Sequence, residues 1–293
     1  MKFSTAAVSS MLLATAAFAA PLTSKRQARN EARRIARAET QSVQRHSNPP
    51  YKPGTHEVIN FNETTQEEYS SNWAGAVLIG SGYTAVTGTF TVPTPKSASG
   101  NGGGSGGGFG GGFGGGFADS SSSYSAASAW VGIDGDTWSE AILQTGVDFI
   151  VEDGQVSYDA WYEWYPDYAY DFSDIDISAG DEIKVTVEAS SLASGTATIE
   201  NISTGQTVSH TFSRDVEGDL GELNAEWIVE DFEEGDSLVS FADFGSVTFS
   251  NAEATDNGST VGPSGATIMD IEQDGEVLTS TSSTSDSVTV TYV

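Results

Sequence analysis

The chain has 293 residues, no cysteine, and 41 acidic against 12 basic residues, for a net charge of −29. Such a surface repels nucleic acid and anionic membranes, and the missing cysteine excludes thiol catalysis, disulfide staples and thiolate metal sites. The length suffices for a large core, and the charge suits an acidic medium in which many carboxylates are protonated.

The opening "MKFSTAAVSSMLLATAAFAA" puts Lys2 before an apolar run and closes on Ala17-Phe18-Ala19. This predicts a secretory signal peptide over residues 1–19, too short to span a bilayer, and a secreted, extracellular product. Residues 20–68 carry eight basic and six acidic side chains. From Tyr69 onward only Lys96, Lys184 and Arg214 stand against 35 acids. "SKRQARNEARRIARAETQSVQRH" is rich in helix formers, and "SNPPYKPGTH" breaks any helix. The charge contrast predicts a pro-segment over 20–68: a cationic strip that lies on an acidic domain as its own inhibitor until removed. A disordered linker and a basic nucleic-acid arm are the other readings.

From Tyr69 the pattern changes. "SNWAGAVLIGSGYTAVTGTFTVP" alternates β-branched and aromatic residues with small ones, and similar runs recur to the final "DSVTVTYV". Short strands separated by Gly, Asn and Ser turns predict an all-β sandwich over residues 69–293. Residues 97–123 are a Gly/Ser-rich insert read as a flexible surface loop. Its glycines lack the strand–turn–helix context and the lysine that phosphate binding needs. Asn62, Asn201 and Asn257 each begin an N-glycosylation pattern, which the export signal makes usable.

Past the basic segment the one histidine is His210, in "TVSHTF". No nucleophile elbow accompanies it, so it reads as a surface residue rather than the base of a serine triad. Zinc sites built on several histidines are excluded, and the Asp-rich "GIDGDTW" lacks a calcium-loop pattern. No metal and no cofactor are expected. Carboxylates, amides and aromatics remain. Strand alternation puts Asp159, Trp161, Glu163 and Tyr165 on one face, Glu226, Ile228, Glu230 and Phe232 on another, and Ile142 with Gln144 on a third. Acids interleaved with aromatics read as a cleft wall. Glu230 between two apolar neighbours is a place where a carboxyl pKa is open to tuning.

The stretches "SNWAGAV", "ASAWVGIDGDT", "AILQTGVDF", "YDAWYEWYPDY" and "NAEWIVEDFE", in this order, resemble the fungal glutamic peptidases, or eqolisins, over about residues 68–293. The resemblance implies a sandwich of two seven-stranded antiparallel sheets and an acid-acting secreted endopeptidase. It implies a catalytic pair, Gln144 and Glu230, with an activated water and no covalent intermediate. Glu226, four residues earlier on the same face, is the tempting wrong choice. Trp73, Trp130, Asp134, Asp148, Asp159 and Glu163 match residues that line or support the family's cleft. Close relatives carry cysteine where Trp138, Ile150 and Gly221 stand here. The expected partners are protein and peptide substrates and the chain's own pro-segment. The expected state is a monomer, two-chain after cleavage in the insert. The rival reading is a carbohydrate-active or carbohydrate-binding sandwich with Asp159 and Glu163 as its acid pair. Crowded carboxylates further predict a fold stable near pH 3–4 and weaker toward neutrality.

Overall fold

A computed structural model describes residues 44–59, 67–97, 124–213, 215–235 and 237–293, all inside one unit, Thr40–Val293. The signal peptide, most of the basic segment, Asn62 and residues 98–123 of the insert lie outside the described residues. No helix occurs among the described residues, as expected for an all-β chain.

The strands follow in chain order. The first are β1 (Arg45–His46), β2 (Glu68–Ser70), β3 (Trp73–Ile79), β4 (Tyr83–Thr91) and β5 (Tyr124–Ile133). Then come β6 (Ile142–Glu152), β7 (Gln155–Tyr165), β8 (Tyr170–Asp171), β9 (Glu182–Ser191), β10 (Ser194–Asn201) and β11 (Gln206–Phe212). They are followed by β12 (Asn224–Glu230), β13 (Glu233–Glu234), β14 (Ser237–Leu238), β15 (Ser246–Asp256) and β16 (Ser259–Val261). The last are β17 (Thr267–Gln273), β18 (Glu276–Val277), β19 (Thr279–Ser283) and β20 (Ser287–Tyr292).

One sheet runs β11-β10-β9-β4-β15-β20-β19, with β16 added on β15. The other runs β18-β17-β3-β12-β5-β6-β7-β8, with β2 parallel to β17. A small third sheet, β1-β13-β14, ties Arg45 and His46 to Glu234 and Glu233. The expectation of two seven-stranded sheets is thus corrected to sheets of eight and nine strands plus the small one. The difference lies largely in two- and three-residue strands such as β2, β8, β16 and β18, which sequence alternation is too short to reveal.

The two large sheets share one core. Ala225, Trp227 and Val229 of β12, Val131 and Ile133 of β5, and Leu143, Val147 and Phe149 of β6 meet Val86 and Phe90 of β4, Val185 and Val187 of β9, and Phe249 of β15. The indole of Trp227 is buried there and still donates, to the Thr87 carbonyl at 2.8 Å, so its N–H is not left unpaired.

Burial differs between the sheets, and the difference locates the site. In β9 exposed and buried residues alternate, the mark of a sheet with one wet face. In β5, β6 and β12 nearly every residue is buried. Their second face holds a separate apolar cluster of Trp73, Val77, Trp130, Ile142, Trp161, Ile228 and Met269. Residues 45–51 of the basic segment add to that burial by bonding to side chains of this face. Small residues on β5 and β6 make room for the three tryptophans. A Cβ on Gly146 would stand 2.4 Å from both the Ala129 carbonyl and the Trp130 Cβ.

The three positions that the resemblance gives to cysteine are packed here by other means. The Trp138 ring lies on Gly221, its Cγ 2.7 Å from where a Cβ would stand, and its Nε1 donates to the Asp219 carbonyl at 2.8 Å. Ile150 is buried with Ala126 and Phe232.

Candidate active site

The register of β12, β5, β6 and β7 arranges the outer-face side chains in three rows. Glu230, Ser128, Asp148 and Asp159 form one row. Ile228, Trp130, Gly146 and Trp161 form the next, and Glu226, Gly132, Gln144 and Glu163 the third. The predicted pair is therefore on one face but not side by side. Gln144 and Glu230 are two strands and four residues apart, roughly 16 Å between Cα atoms on a flat sheet. Trp130 stands between them. Its Nε1 donates to Glu230 Oε2 at 2.9 Å, and its Cζ3 lies 2.8 Å from a Cβ built on Gly132.

Arg45 enters this face as a cation. Its Nε donates to both oxygens of Asp148, at 3.0 and 2.8 Å, and Nη1 reaches Glu163 Oε2 at 3.4 Å. Nη2 donates to Ser128 Oγ at 3.1 Å. The guanidinium carbon sits 3.7 Å from the Trp161 ring centre and 4.6 Å from that of Phe232. Planar guanidinium, carboxylate fork and flanking rings suit one another, which lysine would not reproduce. Burial, with Arg45 beside it, lowers the pKa of His46 to about 4, so the ring is neutral near pH 7.

The chain then passes over Glu230. The Asn48 N–H points to Glu230 Oε1 at 3.2 Å. Trp73 Nε1 donates to the Asn48 carbonyl at 2.8 Å, and Asn72 Nδ2 to the Asn48 and Pro49 carbonyls at 3.3 Å each. Asn72 Oδ1 in turn accepts the Tyr51 N–H at 2.8 Å. This face of the sheet thus grips an extended peptide by its backbone and holds one basic side chain in an acidic, aromatic pocket.

Burial dominates the electrostatics. Glu230 is pushed up to about 7 by burial, against the pull of Arg45, Ser47, Asn48 and Trp130. Glu163 is raised well above the usual carboxylate range by burial, which Arg45 only partly offsets. Glu226 is raised by burial and by its acidic neighbours Asp134 and Asp136.

The match to known proteins covers this whole domain. A profile described as the Peptidase A4 family matches residues 71–292. The chain belongs to the peptidase A4 family. This A4 peptidase is 69% identical to aspergillopepsin-2 of Aspergillus niger over 295 residues, covering all of both chains. It is 42% identical to scytalidopepsin B of Scytalidium lignicola over 301 residues, again covering all of both. Among solved structures it is similar to scytalido-glutamic peptidase with a transition state analog inhibitor, with TM-score 0.64 and 40% identity over 76% of this chain and 98% of that one. It is also similar to aspergilloglutamic peptidase from Aspergillus niger, with TM-score 0.57 and 79% identity over 58% of this chain and 99% of that one. The enzyme is a glutamic endopeptidase, and the carbohydrate-active reading falls away.

In this peptidase the remaining predicted residues divide by place. Trp73, Trp130, Asp148 and Glu163 meet the bound segment or the groups that hold it. Trp73 and Trp130 pack edge to face at 4.9 Å. Asp159 is half-buried at the end of the Glu230 row, beside Asp148. Asp134 lies near Glu226 and is held by backbone groups rather than by the bound segment. Its carboxylate accepts the backbone N–H groups of Gly221, Glu222, Leu223 and Asn224 at 2.7–3.3 Å, which fixes where β12 begins. Burial still raises its pKa to about 6.

Some expectations change. Asn201 is fully buried, and its Nδ2 donates to the Asp176 carbonyl and to Asp181, so no glycan fits there. Asn257 is exposed in the turn between β15 and β16. His210 stacks on Tyr162 at 4.1 Å and 10° and is part of an aromatic cluster, not a triad. Arg45, Ser47, Asn48, Asn72 and Ser128 were missed. Ser128 was within reach, because it lies two residues before Trp130 and so shares its face.

Proposed function

We propose that this peptidase is a secreted, acid-acting endopeptidase in which Glu230 and Gln144 work on one water and one peptide bond. Glu230 takes a proton from the water as its oxygen bonds to the scissile carbonyl carbon. The Gln144 amide N–H steadies the oxygen that becomes negative, a contribution of about 2.7–4 kcal/mol for one preorganised donor. Glu230 then returns the proton to the leaving nitrogen, the C–N bond breaks, and no covalent enzyme intermediate forms. Trp130 stands in the row between them and holds the Glu230 carboxyl through its Nε1–H. A neutral amide suits the task in acid, where a second carboxylate would be partly protonated.

The observation that carries this reading is the peptide amide of Asn48 on Glu230, 3.2 Å from its carboxylate. No such backbone group reaches Glu226 among the described residues. The same contact supports reading residues 20–68 as a pro-segment that inhibits by laying residues 45–51 in the groove. Burial raises the Glu230 carboxyl to about 7, and the Arg45, Ser47 and Asn48 contacts of the segment act against that rise. With the segment gone, those contacts are lost and water reaches the carboxyl in their place, which relieves its burial. Burial makes Glu163 readier than an ordinary carboxylate to take up a proton while Arg45 keeps its charge, so protonation weakens their pairing and favours release.

The test is digestion of denatured protein at pH 3 with pepstatin present. Gln144→Ala and Glu230→Gln should each abolish most activity and keep the fold, with Glu226→Gln far milder. Activity in Glu230→Gln together with its loss in Glu226→Gln would overturn the assignment. N-terminal sequencing of secreted material should find a start near residues 66–69, and a single start at Ala20 at pH 3 would sink the pro-segment reading.

A further inference from the structure

Two polar side chains of the third row have no partner of their own. Gln144 and Glu226 are fully buried, and neither the two amide atoms nor the two carboxyl oxygens meet a hydrogen-bonding group among the described residues. Buried groups of this kind are rarely left alone, and a water with two to four polar partners is the usual companion.

The register supplies the place for one. Gly132 of β5 lies opposite Glu226 on one side and Gln144 on the other, so the two Cα atoms are about 10 Å apart with only a glycine between. Glu226 Oε1 leans over that glycine, 2.7 Å from where a Cβ would stand. The Trp130 ring edge, at 2.8 Å from the same point, closes the gap toward Glu230.

We infer that Glu226 is a positioning residue that orients the Gln144 amide through one water lodged over Gly132. The inference rests on the reading of Gln144 as the donor to the developing oxyanion. The hydrogen-bond accounting is simple. The Glu226 hydroxyl donates to the water, the water donates to Gln144 Oε1, and Nε2–H is left turned toward the substrate. A Gln amide that no group orients would present its oxygen as often as its nitrogen, and the oxygen repels an oxyanion. Glu226 stays protonated for this role. The charged groups that face it are Asp134 and Asp136, both acidic, and its neighbours in register are Gly132 on β5 and Val77 on β3.

Steady-state kinetics on the activated enzyme test this. Glu226→Leu should lower kcat by about a hundredfold, the size of effect expected when a reacting group is misplaced by an ångström, with little change in KM. Glu226→Gln can donate and accept at the same water and should recover most of that loss. Gly132→Ala presses on both the Glu226 carboxyl and the Trp130 ring. It should lower kcat in the parent, and by less in the Glu226→Leu background, where only the contact with Trp130 remains to be disturbed. Parent-like kcat in Glu226→Leu, or a Gln variant as slow as the Leu variant, overturns the inference. If Glu226→Leu does not fold, Gly132→Ala decides, and an unchanged kcat there overturns it equally. Gln144→Ala separates the two claims. If that variant stays active, the reading of Gln144 itself fails. If it is inactive while Glu226→Leu is parent-like, only the positioning role fails.

Discussion

Asp136 offers a direct measure of what burial does to this acidic fold. Its side chain is fully buried, neither oxygen meets a hydrogen-bonding group among the described residues, and burial, with Glu68 nearby, raises its pKa from 3.8 to about 7. A folded pKa above the unfolded one means that the native state holds the proton more tightly. The associated stability is complete below about pH 4 and is lost as pH rises toward 7. At 1.36 kcal/mol per pH unit this one group removes about 4 kcal/mol between pH 4 and pH 7. Asp136→Asn cannot ionise, so it should lose about 4 kcal/mol less than the parent over that interval. With a urea slope of about 2 kcal/mol/M the gap between the two midpoints narrows by about 2 M. The measurement is urea unfolding at pH 4 and pH 7, in a Gln144→Ala background to prevent self-digestion. Because Asp136 is buried, the benefit should persist in high salt, unlike relief of surface repulsion. If the Asn variant loses as much stability toward pH 7 as the parent, burial of this carboxyl is not what makes the fold acid-stable.

Three further outcomes follow from the packing. Arg45→Ala leaves Asp148 and Glu163 buried without their cation, which weakens docking of the segment by about 3 kcal/mol; a time course of peptidase activity after mild acidification should show earlier activation than in the parent. Trp138→Cys with Gly221→Cys places two thiols where the ring now rests on the glycine; a bridge closing so long a loop should raise stability by about 2–4 kcal/mol, read as a higher urea midpoint that reductant reverses. Gly146→Ala drives a methyl into the Ala129 carbonyl and the base of Trp130; it should cost about 3 kcal/mol in urea unfolding and lower activity, because Trp130 carries a hydrogen bond to Glu230.

Much of this protein is legible in its sequence alone. The period-two alternation of β12 put Glu226, Ile228 and Glu230 on one face because side chains of a strand must alternate, whatever the strand packs on. The same rule joined Asp159, Trp161 and Glu163, and the charge contrast at residue 69 marked a basic segment complementary to the domain. Alternation is local, however, and says nothing about which strands lie side by side. Only the assembled sheet placed β5 between β12 and β6, so that Gln144 faces Glu226 across Gly132 while Glu230 lies two rows away, facing Asp148 across Ser128. Only the fold separated Asp134, spent on the backbone before β12, from the acids that meet the bound chain. Arg45 was one of eight basic residues in its segment, and nothing in its neighbours distinguished it. Its place between Trp161 and Phe232, on Asp148, depends on contacts more than a hundred residues apart in the chain, which pairing of strands decides and sequence order does not.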